Sequence, residues 1–363
     1  MKYIEEFRNH AAAQALVREI HRISGGRRIR IMEVCGGHTM AIFKYGLPGL
    51  LPANIELISG PGCPVCVTSN SFIDHAIELA KDRGTLIATF GDLIRVPGSS
   101  SSLQKERGEG ADVRICYSPL DALELAKQHP DRNVVFLGVG FETTAPTAAA
   151  TIHRAAEQGR ANFSMLTAFK TMPNAMKALL DGGEVALDAF LCPGHVSVIT
   201  GTGIYEFIAR EYRTPCVVSG FEPLDLLQSI LKIIEQIAAG LAKVENQYTR
   251  AATLPGNPAA QKLLKEVFHE SDADWRGIGT IPRSGLEISD EYARFDARKV
   301  FPVKLKPSRE NPACICGSIM RGAKRPLDCP LFSKVCTPES PKGACMVSDE
   351  GSCATYYKYR RTP

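Results

Sequence analysis

The sequence predicts an α/β protein made of two open parallel-sheet α/β domains followed by a cysteine-rich C-terminal domain. Three observations carry this. From about residue 27 to 245, short β-branched runs alternate with stretches of helical period, the pattern of strands separated by covering helices. Gly140-Phe141-Glu142 and Gly220-Phe221-Glu222 each close a strand run. That echo favours two sheets of about four strands over a single eight-stranded barrel. Finally, Cys314, Cys316, Cys329, Cys336, Cys345 and Cys353 are half of the 12 cysteines, and Pro326, Pro330, Pro338 and Pro341 interrupt them.

Taken in order, residues 1–26 predict an N-terminal helix, because apolar positions in MKYIEEFRNHAAAQALVREIHRI recur at helical spacing between charged ones. Strands are expected at 30–34, 55–58, 85–90 and 113–116 in a first α/β domain, residues 27–145, continuing at 134–139. Residues 146–245 form a second domain with strands at 163–168, 189–192 and 216–219. Helices are expected at 71–83, 120–129, 146–157, 173–180, 203–212 and 224–242. Residues 246–363 make the third unit: a Gly- and Pro-punctuated stretch around Trp275 with few periodic signals, then the cysteine tail.

A chain of 363 residues can bury several ordinary cores and does not need disulfides to fold. Its charged N-terminal stretch is unlike a signal peptide, and no apolar run is long enough to span a bilayer. A cytoplasmic protein is expected, without a membrane partner, and there cysteine patterns mean metal or redox work more often than structural bridges. The formal net charge is +4 with both signs well mixed, which excludes the basic stripe of a nucleic-acid binder.

The unusual residues follow strands. Cys35-Gly36-Gly37-His38, Gly60-Pro61-Gly62-Cys63, Gly91-Asp92, Gly140-Phe141-Glu142-Thr143-Thr144 and Pro193-Gly194-His195 all read as strand-to-helix loops. Such loops gather at the carboxyl edge of a parallel sheet, so one shared site is expected. Cys35 lies near the N-terminus of a helix expected from about Ala41, where unpaired N–H groups favour its thiolate. His38 is a candidate second ligand or proton carrier, and the two glycines admit a bound group. Cys63 and Cys66 form a Cys-x-x-Cys stiffened by Pro64, the spacing of a reversible redox pair; half of a zinc site is the alternative. Glu142 and His195 are candidates to hold or deprotonate a ligand, against the plainer roles of helix cap and satisfied buried group. Soft thiolates on a proline-bent backbone suit an iron-sulfur cluster, which takes four of them, with structural zinc as the alternative.

Together CGGHT, GPGCPVC, GFETTAP, CPGHVS, GFEPLDLL and the tail segments CPLFSKVC and GACMVSDEGSC closely resemble the HypD family of NiFe hydrogenase maturation factors, from about residue 30 to the C-terminus. The resemblance implies two α/β domains and a third carrying a 4Fe-4S cluster. It also implies partners, a HypC-type small chaperone and a HypE-type cyanide donor, and a product, iron carrying two cyanides and one carbon monoxide, destined for the hydrogenase large subunit. Cys35 would anchor that iron. Carried over by motif, the cluster ligands are Cys314, Cys329, Cys336 and Cys353, leaving Cys316 and Cys345 as a redox pair, an arrangement similar to ferredoxin-thioredoxin reductase. Local spacing permits Cys314 or Cys316 as the ligand. Such a protein is a maturation scaffold with redox activity rather than a simple turnover enzyme. An iron-sulfur-dependent thiol-disulfide reductase and a zinc-stabilised binding protein are the other readings.

Overall fold

The computed structural model describes residues 5–359. The expected 1–26 helix occupies His10–Ile23, preceded by a single turn at Glu5–Arg8; its first four residues and the last four of the chain lie outside the described part.

All eight expected strands are present: β1 (Ile29–Glu33), β2 (Ile55–Ser59), β3 (Thr85–Thr89), β4 (Asp112–Ile115), β5 (Asn133–Gly140), β6 (Phe163–Lys170), β7 (Ala189–Pro193) and β8 (Cys216–Ser219). Three more follow, β9 (Val244–Asn246), β10 (Phe268–Trp275) and β11 (Gly279–Ile288). They build two sheets. One has the order β2-β1-β7-β8-β9 and is parallel throughout. The other has the order β10-β11-β6-β5-β3-β4, parallel from β6 to β4, with β11 and β10 added antiparallel at its edge.

The sheets do not divide at residue 145. β6 pairs with β5 along Val134↔Phe163 to Gly140↔Phe169, whereas β7 returns to β1. The four parallel strands of the second sheet, β3 to β6, are thus inserted into the first, after β2 and before β7, and β10 and β11 join them after β9. The sequence hides this, because hydrophobic pattern specifies that a strand is buried and not which neighbour buries it. The hairpin β10–β11 went unread for a related reason. Its inner residues His269, Glu270, Asp272 and Asp274 are polar and largely exposed, so there is no apolar alternation to detect.

Each sheet has its own helical cover. Behind the first sheet, helices His10–Ile23 and Pro223–Ala238 pack together over Ile29, Ile31, Leu191 and Val217. The second is covered on one face by Pro119–Gln128 and Ala145–Glu157, and on the other by Asn70–Ala80. Between the sheets lies a third core that contains Phe141, Phe190, Trp275, Cys63, Cys66 and the buried tail cysteines Cys316, Cys336, Cys345 and Cys353. The tail is therefore not an appendage. Its short turns fill the space where the two sheets meet.

Candidate functional site

In the first sheet the chain order reverses between β1 and β7: from β1 it runs to β2 on one side, and from β7 to β8 on the other. This is the position at which an open parallel sheet leaves a crevice at its carboxyl edge. The loops after β1, β2, β7 and β8 meet there, and they bring Cys35, Cys63, His195 and Phe221 to one edge. Gly91-Asp92 and Gly140–Thr144 follow β3 and β5, which belong to the other sheet. The five loops expected to share one site are thus divided between two sheet edges.

Cys35 is the N-cap of helix Gly36–Lys44, with extended φ −150° and ψ 122°, and its carbonyl accepts the N–H groups of His38 and Thr39 at 3.0 and 3.1 Å. The helix begins well before Ala41, because both glycines are helical and not a turn. They are needed for space. A Cβ on Gly36 would lie 2.6 Å from the Glu350 backbone oxygen, and one on Gly37 would lie 3.2 Å from the Phe221 ring. Gly62 is tighter still, since its Cβ would be 2.2 Å from the Cys35 nitrogen, and its carbonyl accepts the Gly36 N–H. Cys35 is thereby held between the Gly60–Gly62 loop and the tail.

The expected preference for thiolate at Cys35 is not what the surroundings produce. Burial first, and then the Glu350 and Glu33 carboxylates, push the thiol up to about 12, against the opposing N–H groups of His38 and Gly37. Without metal the sulfur is protonated at neutral pH. The same acidic surroundings favour a cation, whose binding would displace that proton. Glu33 is itself pushed up to about 7 by burial, opposed by hydrogen bonds from Ser59 at 2.8 Å and Thr39 at 3.2 Å, and its second oxygen has no partner. A carboxylate inside the strand run IRIME was the available signal for it.

His38 and His195 do come together, both against one phenyl ring. The Phe221 centroid is 4.7 Å from His38 and 4.0 Å from His195, the latter stacked at 22°. His38 is fully buried, with Nε2 3.2 Å from the Ser219 carbonyl and Nδ1 unpartnered; burial pulls it down to about 4, so it is neutral. His195 is the more exposed of the two, and partial burial lowers it as well. The Phe221 loop is fixed from behind by Asp225, which accepts Arg250 through both oxygens at 2.6 and 2.7 Å and the Glu222 N–H at 3.1 Å.

Glu142 is placed elsewhere. Its Oε1 accepts the Met172 N–H at 2.8 Å and so caps helix Met172–Gly182, whose own N-cap Thr171 makes no such bond. It lines a cavity of about 860 Å³ with Lys177, Gln261 and Arg283, and its Oε2 is buried without a partner.

Cys63 and Cys66 form a disulfide, with Cα atoms 5.3 Å apart. Cys63 is the N-cap of the turn Pro64–Val67, and the Cys66 sulfur faces the Ala344 carbonyl at 3.9 Å, next to Cys345. In the tail, Cys314 and Cys316 sulfurs are 3.1 Å apart, and Cys316 is within hydrogen-bonding reach of Cys345 and Cys353. The hydrogen bond from Cys316 lowers Cys314 to about 7. Cys336 accepts the Lys342 N–H at 3.3 Å and feels the charges of Cys314 and Cys329. Gly343 leaves room here, since a Cβ on it would be 2.6 and 2.7 Å from the Cys314 and Cys316 sulfurs. All six tail cysteines therefore converge. Their soft sulfurs, a backbone N–H donated to sulfur and the open space beside Gly343 fit an iron-sulfur cluster. Among the described residues no three His, Cys, Asp or Glu side chains are gathered to hold a single ion. Arg276, Glu350 and Phe221 complete this region; sequence alone singled out none of the three as a site residue.

The comparison with known proteins shows the family. The family model for HypD, described as the hydrogenase formation hypA family, matches residues 11–360. The chain belongs to the HypD family. The Hydrogenase maturation factor HypD of Azotobacter vinelandii is 48% identical over 369 residues, covering 99% of this chain and 97% of the relative. That of Cupriavidus necator is 47% identical over 370 residues, covering 99% and 98%, and that of Escherichia coli K12 is 44% identical over 368 residues, covering 99% of each. Every cysteine discussed above lies within the matched residues 11–360. No helix among the described residues is long and apolar enough to cross a membrane.

Two outcomes follow from the packing and the buried carboxyls. Gly62→Ala should displace Cys35 and cost about 1–3 kcal/mol of stability, read by urea denaturation, because the neighbouring atoms are backbone and cannot move aside. Glu142→Gln keeps the bond to Met172 while removing a titration. Since the folded-state value of about 7 lies above the ordinary 4.5, the folded wild type binds the proton more tightly. Its stability therefore declines as pH rises from 4.5 through 7, by up to about 3 kcal/mol from this group. Denaturation at pH 5, 6, 7 and 8 should show a shallower decline in the variant, and parallel curves would contradict this.

Proposed function

We propose that this chain is a NiFe hydrogenase maturation factor, a scaffold and redox protein on which iron carrying two cyanides and one carbon monoxide is assembled. The observation that carries the reading is the meeting of three thiol sites: Glu350 packs on Gly36 beside Cys35, and Ala344, beside Cys345, packs on Cys66. The cargo iron would be anchored by the Cys35 sulfur, where Glu33 and Glu350 favour a cation. A HypC-type small chaperone would share it, a HypE-type protein would donate cyanide, and the hydrogenase large subunit would receive the product. Neutral His38 offers an unpartnered Nδ1, and exposed His195 stacks on Phe221. His38 would accept a hydrogen bond there, and His195 would carry a proton near the iron's ligands.

Cys314, Cys329, Cys336 and Cys353 would hold a 4Fe-4S cluster. Such a cluster supplies electrons one at a time. Cys316 and Cys345, buried and in mutual reach, would form the adjoining redox pair, from which reducing equivalents pass to the Cys63–Cys66 disulfide. Opening that disulfide consumes two electrons and two protons and yields two thiols. The same pair would serve a thiol-disulfide reductase, and the two readings differ in Cys35, which a reductase does not need.

Protein purified without oxygen should be brown and contain about four irons and four sulfides for the cluster. One equivalent of zinc without sulfide would overturn the cluster. Cys329→Ala or Cys336→Ala should bleach the protein. Cys35→Ala should keep the colour and abolish hydrogenase maturation, together with the infrared bands of iron-bound cyanide and carbon monoxide in the chaperone complex. If Cys35→Ala loses the cluster, the separation of the two sites is wrong.

The redox pair has its own test. Cys63→Ser and Cys66→Ser should each retain the cluster and the small chaperone yet deliver little mature hydrogenase. Full maturation by both variants would make the disulfide structural.

A further inference from the structure

Arg276 is a guanidinium only 6% exposed, held by neutral groups. Its Nε donates to the Thr68 carbonyl at 2.7 Å and its Nη2 to the Pro97 carbonyl at 3.4 Å, while its backbone N–H donates to Val67 at 2.9 Å. On the other side, Gly277, at φ +69°, lies against Gly317 so closely that a Cβ would be 2.3 Å from the Gly317 Cα, and Arg321 donates to the Gly277 carbonyl. The Arg276 turn is thus wedged between the loop that follows Cys66 and the turn that carries Cys316. With Cys314 and Cys316 it lines a cavity of about 490 Å³. The acidic groups that face it are Glu310 and the thiols of Cys316, Cys345 and Cys314. Glu310 is exposed and makes no ion-pair contact with it among the described residues.

A buried cation held by carbonyls alone is unfavourable unless an anion compensates it. We propose that Arg276 is the fixed counter-charge of the tail cysteines, a positioning residue that stabilises negative charge on the sulfurs of Cys314, Cys316 and Cys345 and thereby makes this region easier to reduce. This rests on the cluster reading above. Adding one electron to a thiolate-held cluster adds negative charge without a proton, so a fixed cation in a medium of low dielectric raises the reduction potential. The carbonyl contacts to Thr68 and Pro97 explain why arginine stands here. Its rigid fork can be anchored on one side and present charge on the other, which a lysine ammonium does less well.

The test is an EPR-monitored redox titration of full-length protein, purified anaerobically, with dithionite as reductant. Arg276→Gln should have a lower midpoint potential than wild type at equal iron and sulfide content, and Arg276→Lys should fall between them. Glu310→Lys, an exposed change that adds a cation at the cavity mouth, should move the potential the other way; if Arg276→Gln assembles no cluster, this variant decides. Potentials equal to wild type in the cluster-bearing variants would overturn the role of Arg276 while leaving the cluster intact. A wild-type protein without a cluster would instead overturn the cluster reading, and this inference with it.

Discussion

The contact of Glu350 with Gly36 is the constraint on which the rest of the site depends. It requires a residue without a side chain at the first turn of the Cys35 helix, and it brings a carboxylate to the sulfur. From Glu350 the chain enters the helix Ser352–Tyr359, which lies on the Cys35 helix through Phe43 and Tyr356, with ring centroids 4.3 Å apart. Cys353 opens that helix. One short segment therefore fixes Cys35 from outside and supplies a tail cysteine from within. A tail that lost its packing would change both the field at Cys35 and the arrangement of the other thiols.

The interleaved sheets make that contact possible. Because β3 to β6 are inserted between β2 and β7, the Cys63–Cys66 loop lies where the chain leaves the first sheet for the second. The Trp275 turn lies at the edge of the second sheet and reaches back to it through the bridge Thr68↔Trp275. Phe141, 5.9 Å from Trp275, extends this core from the end of β5. The buried thiols thus occupy a seam between two independently covered sheets. That location excludes water from sulfur chemistry and still leaves Cys314 and Cys35 partly accessible.

The strands and most helices were legible in the sequence because each is a continuous apolar or periodic run between turn residues. Their pairing was not, since β6 and β7 look alike in composition while they belong to different sheets. Among site residues, Cys35, His38, His195 and the cysteines were legible from residue type and from their place after strands. Glu142 was legible as unusual, but its capping of Met172 depends on a neighbour 30 residues away in sequence. Arg276 and Glu350 carry no local signal at all. They are charged residues in loops, and only tertiary packing places them near sulfur, Arg276 buried and Glu350 exposed. The protonated state of Cys35 was missed for the same reason, because a helix N-terminus alone would have favoured the thiolate.

The central claim is that the tail and the Cys35 crevice communicate through the Cys63–Cys66 disulfide. Differential alkylation with mass spectrometry can follow that disulfide during stepwise anaerobic reduction of wild type and of Cys345→Ser. The account predicts that the bridge opens as the tail is reduced in wild type and stays closed at the same potential in the variant. Opening at the same potential in both proteins would contradict it.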